Sequence, residues 1–174
     1  MVFDIMKTET FSIPVVSAII ERIHNGEKEI LVQTRWKPKE DPVYSGCIEI
    51  PGGKIGSFEN VYDALKREVL EETGLNVIKI KHEVKTDVHS PKKDGSFAFV
   101  PFCCNQQIKG GMPWIGFAFI CIAEDRNPKP TGDGTKDIRW MKASDLKEIL
   151  EKTPEKIFTL HLGILDFYFN YENK

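Results

Sequence analysis

The sequence lacks the features of several metal and redox protein classes. Four cysteines stand among 174 residues, and no two have the Cys-x-x-Cys spacing of a zinc or redox site. The four histidines are scattered, so we expect no histidine-ligated zinc ion. Cys103 and Cys104 are neighbours in a predicted strand and point to opposite faces, which argues against a shared metal site. We therefore expect reduced cysteines that fill the core.

Long apolar runs and a strong charge of one sign are also missing. Lys and Arg total 24 and Asp and Glu total 26, so the net charge of −2 gives no general attraction for nucleic acid or an anionic membrane. No apolar run approaches the roughly 18 residues of a membrane span, and the charges within residues 1–10 argue against a signal peptide. We expect one cytoplasmic domain over residues 1–174, with no nucleic-acid or membrane partner.

A short helix is predicted within the segment GKIGSFENVYDALKREVLEETGL. Asn60 followed three residues later by Asp63 is typical of a helix start, and Gly74 is typical of the left-handed residue that ends a helix. The helix should therefore run between about residues 60 and 73. Before it lies a loop with little side-chain bulk, where backbone groups can approach a phosphate or a cation. That loop contains Pro51, Gly52, Gly53 and Gly56.

The predicted helix carries three glutamates, Glu68, Glu71 and Glu72, on one face, because residues three and four apart are helical neighbours. Like charges at this spacing cost a helix a few tenths of a kcal/mol, about 0.2–0.5. A bound cation would turn that cost into a gain. An acidic helix is more often a solvated face, so the cluster alone does not decide. With the glycine loop beside it, we expect the carboxylates to converge on one metal site.

The complete segment resembles the Nudix box, whose pattern is G, five residues, E, seven residues, then R-E-U-x-E-E-x-G-U with U a bulky aliphatic residue. The 23-residue segment matches every defined position, and so long a match is far more specific than a lone glycine motif. The matching residues are Gly53, Glu59, Arg67, Glu68, Val69, Glu71, Glu72, Gly74 and Leu75.

The resemblance implies a divalent-metal-dependent hydrolase that cleaves the pyrophosphate bond of a nucleoside diphosphate linked to another moiety. Mg²⁺ suits this work, and Mn²⁺ is its usual substitute; either would neutralise the phosphates and activate water. Arg67 would hold the carboxylates through ion pairs with Glu71 or Glu59. The implied metal ligands are Glu68, Glu71 and Glu72, with the Gly53 carbonyl as a further candidate.

The general base is left open between Glu68 and an acid outside the box. Residues 128–137 read PKPTGDGTKD, and their proline and glycine content suits a loop that closes over substrate. Asp133 lies between two glycines and is our candidate, while Asp137 adjoins the last predicted strand and could pair with a neighbouring cation. A solvated turn aspartate is the alternative for both.

The candidate substrate contacts are Arg35, Trp36 and Lys54. Arg35 lies on a strand expected near the site, where its charge could meet phosphate or simply be solvated. Trp36, Trp114 and Phe102 are candidates for stacking on a base, and each could equally be a core residue.

The identity of the small-molecule nucleotide substrate is left open between two classes. Family subclasses that cut ADP-ribose tend to carry a proline about sixteen residues beyond the box. Pro91 lies 16 residues after Leu75, although loop prolines are common. A nucleoside triphosphate, including an oxidised one, is the other class.

Strand patterns dominate on both sides of the box, so we expect an α/β fold, a Nudix-type α/β/α sandwich with a mixed sheet between helices. Residues 11–22 and 29–36 should form a hairpin around the turn Asn25-Gly26. Ser144 is expected to cap one helix, and Thr153-Pro154 to open a final one. The final helix should cover the sheet, with a homodimer contact as the alternative. Its apolar stripe is Phe158, Leu162, Leu165 and Phe169.

Two other functions remain open on the same fold. A nucleotide-binding module without catalysis is the first alternative, because fold does not fix function. An isomerase is disfavoured, because such relatives use a modified box and a reactive cysteine, and no cysteine here has an evident base beside it.

Overall fold

The computed structural model describes residues 10–129 and 134–171, which form one eight-stranded sheet, one two-stranded sheet and three α-helices. None of the helices within these ranges is long and apolar enough to cross a membrane. The strands are β1 (Ile13–His24), β2 (Glu27–Arg35), β3 (Ile48–Glu49), β4 (Gly52–Lys54), β5 (Val77–Ile80), β6 (Val84–Lys85), β7 (Phe99–Val100), β8 (Cys103–Gln106), β9 (Trp114–Ala123) and β10 (Thr135–Lys142). The helices are α1 (Val61–Thr73), α2 (Ala143–Lys152) and α3 (Thr159–Tyr171).

The large sheet is mixed and has the strand order β10-β2-β1-β9-β5. β1 and β9 pair in parallel, while β1 and β2 form an antiparallel hairpin. The turn of this hairpin is Asn25-Gly26, whose φ angles of 50° and 80° are both positive. A two-residue turn of this kind suits asparagine and glycine, and the predicted hairpin is confirmed.

Helices cover both faces of the large sheet. Alternate residues of β1 point to opposite faces, so Ala18 packs in the core beneath α1 and Ile19 packs in the core beneath α2 and α3. Leu65 of α1 and Leu165 of α3 are buried on these two sides. The predicted α/β/α sandwich with a mixed sheet is confirmed.

The predicted limits of the box helix are also confirmed. The Asn60 Oδ1 accepts a hydrogen bond of 2.9 Å from the backbone N–H of Tyr62 at the start of α1. Gly74 ends the helix with φ 68°, and its N–H donates to the Leu70 carbonyl at 2.9 Å. Both signals act within one helical turn, so they depend little on the rest of the fold.

The C-terminal part differs from the prediction in two places. Ser144 does not cap α2, which begins at Ala143 with Lys142 as its N-cap residue. Pro154 opens only a 3-10 turn, because Ile157 bridges to Ile48 in extended conformation before α3 begins at Thr159. Three members of the predicted apolar stripe face the core beneath α3: Leu165 is buried, and Leu162 and Phe169 are half-buried against the same cluster. Phe158 is also buried, but it lies before the start of α3, where its ring packs against His161.

Two short strands fill a gap between β1 and β2. β2 pairs with β1 only from Glu21 to His24, and β4 pairs with the other half of β1, from Val15 to Ser17. Gly52 lies so close to this half of β1 that a Cβ atom there would overlap the backbone oxygen of Val16. The pairing of β4 with β1 therefore places the glycine loop in the middle of the sheet, beneath α1.

A buried histidine ties α3 to the strand that enters this loop. The Nδ1 atom of His161 accepts a hydrogen bond of 3.1 Å from the backbone N–H of Ile50. Burial lowers the pKa of His161 to about 3, and the nearby Arg35 charge acts in the same direction. His161 is therefore mainly neutral in the folded protein at pH values well above 3.

We expect His161 to make the fold sensitive to acid. Its folded pKa lies below the unfolded value of about 6.5, so the unfolded chain binds the extra proton. The free energy of unfolding should fall as the pH drops from 6.5 toward about 3, by up to about 1.4 kcal/mol per pH unit from this residue. In His161→Asn, whose Oδ1 can still accept from Ile50, urea unfolding between pH 4.5 and 7.5 should lack this component. The exposed control His24→Asn should retain it, and equal slopes in His161→Asn and wild type would contradict the expectation.

Candidate active site

Arg67 is the centre of the ion-pair network on α1. Its guanidinium contacts Glu59 at 2.7 and 2.9 Å, Glu68 at 2.8 Å and Glu71 at 3.2 Å. It also donates to the backbone carbonyl of Lys54 at 3.0 Å. The two ion pairs expected as alternatives for Arg67, with Glu71 and with Glu59, both form. A planar guanidinium with five N–H donors can serve several acceptors at once, which a lysine ammonium could not do in this geometry.

Glu59 is the carboxylate most tightly bound to this network. Arg67 contacts both of its oxygens, and the N–H of Gly56 adds a bond of 2.7 Å. These hydrogen bonds favour the charged form, Arg67 first, and lower the pKa of Glu59 to about 2. Glu59 therefore stays ionised, and from its position just before the start of α1 it anchors Arg67 in the middle of the helix.

Glu72 turns away from Arg67 toward the sheet. Its Oε2 accepts a bond of 2.8 Å from the Gln33 amide and one of 3.0 Å from the N–H of Gly52. The pKa of Glu72 is raised to about 7, mainly by burial and also by the charges of Glu49 and Glu68, against the effect of these two donors. Glu72 is thus a half-buried acid in a region already rich in negative charge.

Glu49 is an acid outside the box that sequence reasoning missed. It is 5% exposed, and its oxygens accept hydrogen bonds from Gln33 and Arg35, both at 3.3 Å. Burial raises its pKa, although Arg35 opposes this effect. The sequence did contain a signal for Glu49, because this acid lies between the apolar residues Ile48 and Ile50. A buried charge is rare unless it has partners, so an acid in such a position indicates a specific role.

The three box glutamates share a helix face, but their carboxylates do not converge as expected. Within residues 10–129 and 134–171, no three acidic, histidine or cysteine side chains form a group able to hold a metal ion. Glu68 and Glu71 contact Arg67, with Glu71 58% exposed, while Glu72 contacts the sheet. The three carboxylates repel one another, and each binds a nearby donor instead. The helical spacing therefore determines that the glutamates share a face, but it does not determine the directions of their side chains.

The residues nevertheless fit a hard divalent cation. Glu68 packs so closely on Gly53 that a Cβ atom there would overlap the carboxylate, so the backbone and a carboxylate meet at this point. The available ligands are carboxylate and carbonyl oxygens, which Mg²⁺ and Mn²⁺ prefer. Burial and the nearby carboxylates Glu49 and Glu68 raise the pKa of Glu72, and a bound cation would favour its charged form.

One cleft opens beside these carboxylates, and we call it the central cleft. The polar and aromatic residues in its wall include Arg35, Lys37, Glu49, Lys54, Glu72 and Trp114. Lys54 is exposed, with its ammonium 5.7 Å from the centre of the Trp114 ring. Arg35 lies in the wall but is bound to Asp41 at 2.7 and 3.0 Å and to Glu49. Its charge is therefore already partly balanced within the protein.

The other stacking candidates lie elsewhere. Arg35 and Lys37 line the cleft while Trp36 does not, since neighbouring residues in extended chain point to opposite sides. The ammonium of Lys136 covers the Trp36 ring at 3.1 Å. Phe102 packs against Phe167, with ring centres 5.3 Å apart, and belongs to the core side of α3. Of the three aromatic candidates, Trp114 alone is in the cleft wall.

The candidate acids of the loop have different outcomes. Asp133 lies outside the described residues, so its role stays a prediction. Asp137 is exposed, with φ 52°, at an irregularity in the pairing of β10 with β2. Its carbonyl accepts a 2.9 Å bond from Arg139.

The cysteines are free, as expected for reduced thiols, but they do not all fill the core as predicted, because Cys104 is exposed and Cys47 is half-buried. Cys103 and Cys121 are buried, and burial raises the pKa of each to about 12. Burial also raises the pKa of Cys47. Reactive cysteines have lowered pKa values, so these three thiols do not resemble nucleophiles.

Comparisons with known proteins bear on the family and the fold. The family model described as NUDIX domain matches residues 13–161. A curated relative, the 8-oxo-dGTP diphosphatase of Buchnera aphidicola, is 59% identical over 32 residues, which cover 18% of this chain and 26% of that protein. The matched segments span only about a quarter of the length of the curated relatives.

Solved structures show the same fold. The NUDIX domain of Shewanella oneidensis NrtR, solved with ADP ribose, aligns with a TM-score of 0.64 and 13% identity over 92% of this chain and 88% of that one. The MutT protein of Methanosarcina mazei Go1 aligns with a TM-score of 0.59 and 20% identity over 94% and 96% of the two chains. At these identities the likeness concerns the fold alone.

The Arg67 network predicts how Glu59 titrates. Replacing Arg67 with Met removes the main cause of the low pKa, while the N–H of Gly56 remains a donor. The pKa of Glu59 should therefore rise from about 2 toward its ordinary value, as followed by carbon-13 NMR of its carboxyl group. Lys66→Met, at an exposed position of the same helix, should leave it unchanged. A pKa that stays near 2 in Arg67→Met would show that Arg67 is not the cause.

Proposed function

The chain belongs to the NUDIX domain family, and we propose that it is a divalent-metal-dependent pyrophosphohydrolase. Its substrate would be a nucleoside diphosphate linked to another moiety. The observation that supports this most is the combination of Glu68 on the Gly53 backbone with Glu72 in the wall of an open cleft. A structural role alone would not call for two acids with raised pKa values, Glu49 and Glu72, in the wall of one cleft.

In this proposal the acids serve a cation, and the basic and aromatic residues serve the substrate. Glu68, Glu71, Glu72 and the Gly53 carbonyl would hold Mg²⁺ or Mn²⁺, which would offset phosphate charge and activate water when bound. Arg67 positions Glu68 through its contact of 2.8 Å. Lys54 is placed to meet a phosphate, and Trp114 offers its ring to a base.

The general base remains open among three acids. Glu68 is adjacent to the proposed metal position, and Asp133 keeps its candidacy from the sequence. Glu49 joins them because it lines the central cleft. Arg35 is a weaker candidate for a phosphate contact than expected, because its guanidinium already binds Asp41 and Glu49.

Two substrate classes stay open, a nucleoside triphosphate and an ADP-ribose-like dinucleotide. The named activity of the Buchnera relative favours the first, and the ADP ribose bound by the NrtR domain favours the second. Both contain a pyrophosphate bridge and a base, so the central cleft suits either. We also propose a cytoplasmic location and a single domain, with no nucleic-acid partner, and a homodimer remains open.

A nucleotide-binding module without catalysis is the second candidate. It would keep Trp114 and Lys54 but would have no use for the acidic cluster, since acids repel the substrate's phosphates. The raised cysteine pKa values speak against the isomerase alternative.

An activity assay tests the proposed function directly. The purified protein is incubated with nucleotide sugars, dinucleotides and triphosphates plus Mg²⁺ or Mn²⁺, and products are separated by chromatography. For the best substrate, Glu72→Gln should lower kcat at least about a hundredfold, which corresponds to about 2.7 kcal/mol of barrier. The reason is that the change removes the negative charge of one proposed ligand of the cation. Asp63→Asn, an exposed acid-to-amide change on the same helix, should leave kcat unchanged. Wild-type turnover by Glu72→Gln at saturating Mg²⁺ would refute the site.

Metal binding should also stabilise the fold. A cation that binds only the folded state at a hundred times its Kd adds about 2.7 kcal/mol, which for this chain length corresponds to roughly 5–11 °C in Tm. Thermal unfolding with and without Mn²⁺ should show this shift in wild type and lose it when Glu68, Glu71 and Glu72 are all replaced by Gln. An equal shift in both proteins would place the ion elsewhere.

A further inference from the structure

Gln33 is a fully buried side chain that joins two acids of the central cleft. It lies on β2, with 0% exposure, and its Nε2 donates to the Glu72 Oε2 at 2.8 Å and to the Glu49 Oε1 at 3.3 Å. Gln33 and Glu49 are opposite each other in the pairing of β2 with β3. One amide group therefore links the sheet to α1 through two carboxylates.

The two carboxylates fix which way this amide points. The Nε2 has two hydrogens and so can serve both acids, whereas the opposite orientation would set the Gln33 Oε1 against two carboxylates. In the present orientation the Gln33 Oε1 is buried and has no hydrogen-bond partner among the described residues. A buried polar atom without a partner is unfavourable. The amide keeps this orientation because its Nε2 then donates to the carboxylates of Glu49 and Glu72.

The same bond decides how Glu72 is presented. The donors to Glu72 are Gln33 on one side and the N–H of Gly52 on the other, and in the described part of the chain both bonds end on Oε2. The Oε1 of Glu72 is then left for a ligand in the central cleft, whose wall includes this residue. Arg35 completes the arrangement, because it holds the far oxygen of Glu49 at 3.3 Å.

We propose that Gln33 is a positioning residue for the reaction: it holds Glu72 in one rotamer, with Oε1 free for a cation, and Glu49 fixes the amide that does so. The inference rests on the proposed function, because it gives Glu72 a cation to bind. Gln33 itself touches neither substrate nor metal, and it acts through Glu72. It lies 39 positions from Glu72 along the chain and outside the box.

The experiment measures the Kd of Mn²⁺ by electron paramagnetic resonance without substrate, in wild type and in Gln33→Met. Met keeps the length of the side chain and removes its donor. Loss of a residue that orients a metal ligand typically costs 10–100-fold in affinity, so we expect the Kd to rise at least about tenfold. Thr34→Val is the matched control, because it changes the adjacent β2 residue, whose hydroxyl contacts Arg139 at 3.3 Å. Its Kd should stay within about twofold of wild type.

A double-mutant cycle separates positioning from general damage to the fold. Both substitutions are repeated in a Glu72→Gln background, where the carboxylate that Gln33 orients is gone. There Gln33→Met should change the Kd by less than about twofold. The same tenfold loss with and without the Glu72 carboxylate would overturn the proposal, as would an unchanged Kd in Gln33→Met alone.

The outcomes also separate this inference from the proposed function. A wild-type protein that binds no Mn²⁺ would refute the proposed function and this inference with it. Mn²⁺ binding that is equal in wild type and Gln33→Met would refute the inference alone. If Gln33→Met does not fold, Gln33→Leu is measured in its place; it also removes the donor and adds no charge beside the cation, so the same rise in Kd is required.

Discussion

The close approach of two glycines to their neighbours sets the geometry on which the site depends. Gly52 lies against the backbone oxygen of Val16 in β1, and Gly53 lies against the carboxylate of Glu68 in α1. Neither glycine is needed for a left-handed backbone angle here; both are needed for the space that a side chain would fill. Sheet, loop and helix therefore meet here without intervening side chains, and the Glu68 carboxylate lies directly on the backbone of the loop.

Around this contact the protein must manage an excess of negative charge. Burying a charge is costly unless it has partners, and the partners here are few. Arg67 serves the acids at the outer side of α1, Gln33 serves the inner ones, and Arg35 serves Glu49 at the back of the cleft. Among the residues that the structure describes, the donors to Glu72 are the neutral groups of Gln33 and Gly52. The fold is thus least well compensated where the chemistry is proposed, as is common at functional sites.

The features that could be predicted from the sequence are those determined by residues close together along the chain. The cap at Asn60, the end at Gly74 and the Asn25-Gly26 turn are set by a few adjacent residues, and all three are correct. The directions of the box carboxylates depend on donors that the fold brings from a distance, such as Gln33, and could not be predicted from helical spacing. The late start of α3 depends likewise on the bridge between Ile48 and Ile157.

The parallel pairing of β1 with β9 has a consequence for the order in which the molecule is built. Residues Ile13–Ile20 pair with residues Trp114–Cys121, about a hundred positions later. On the ribosome the β1-β2 hairpin can form from local contacts, but the central strand pair must wait for β9 to be synthesised. Such non-local pairing slows folding, and until it forms, the apolar face of α1 lacks its contact with β9, where Tyr62 packs against Phe119. A chain interrupted between α1 and β9 would expose that face to solvent, which makes this stretch the period of greatest risk of aggregation during synthesis.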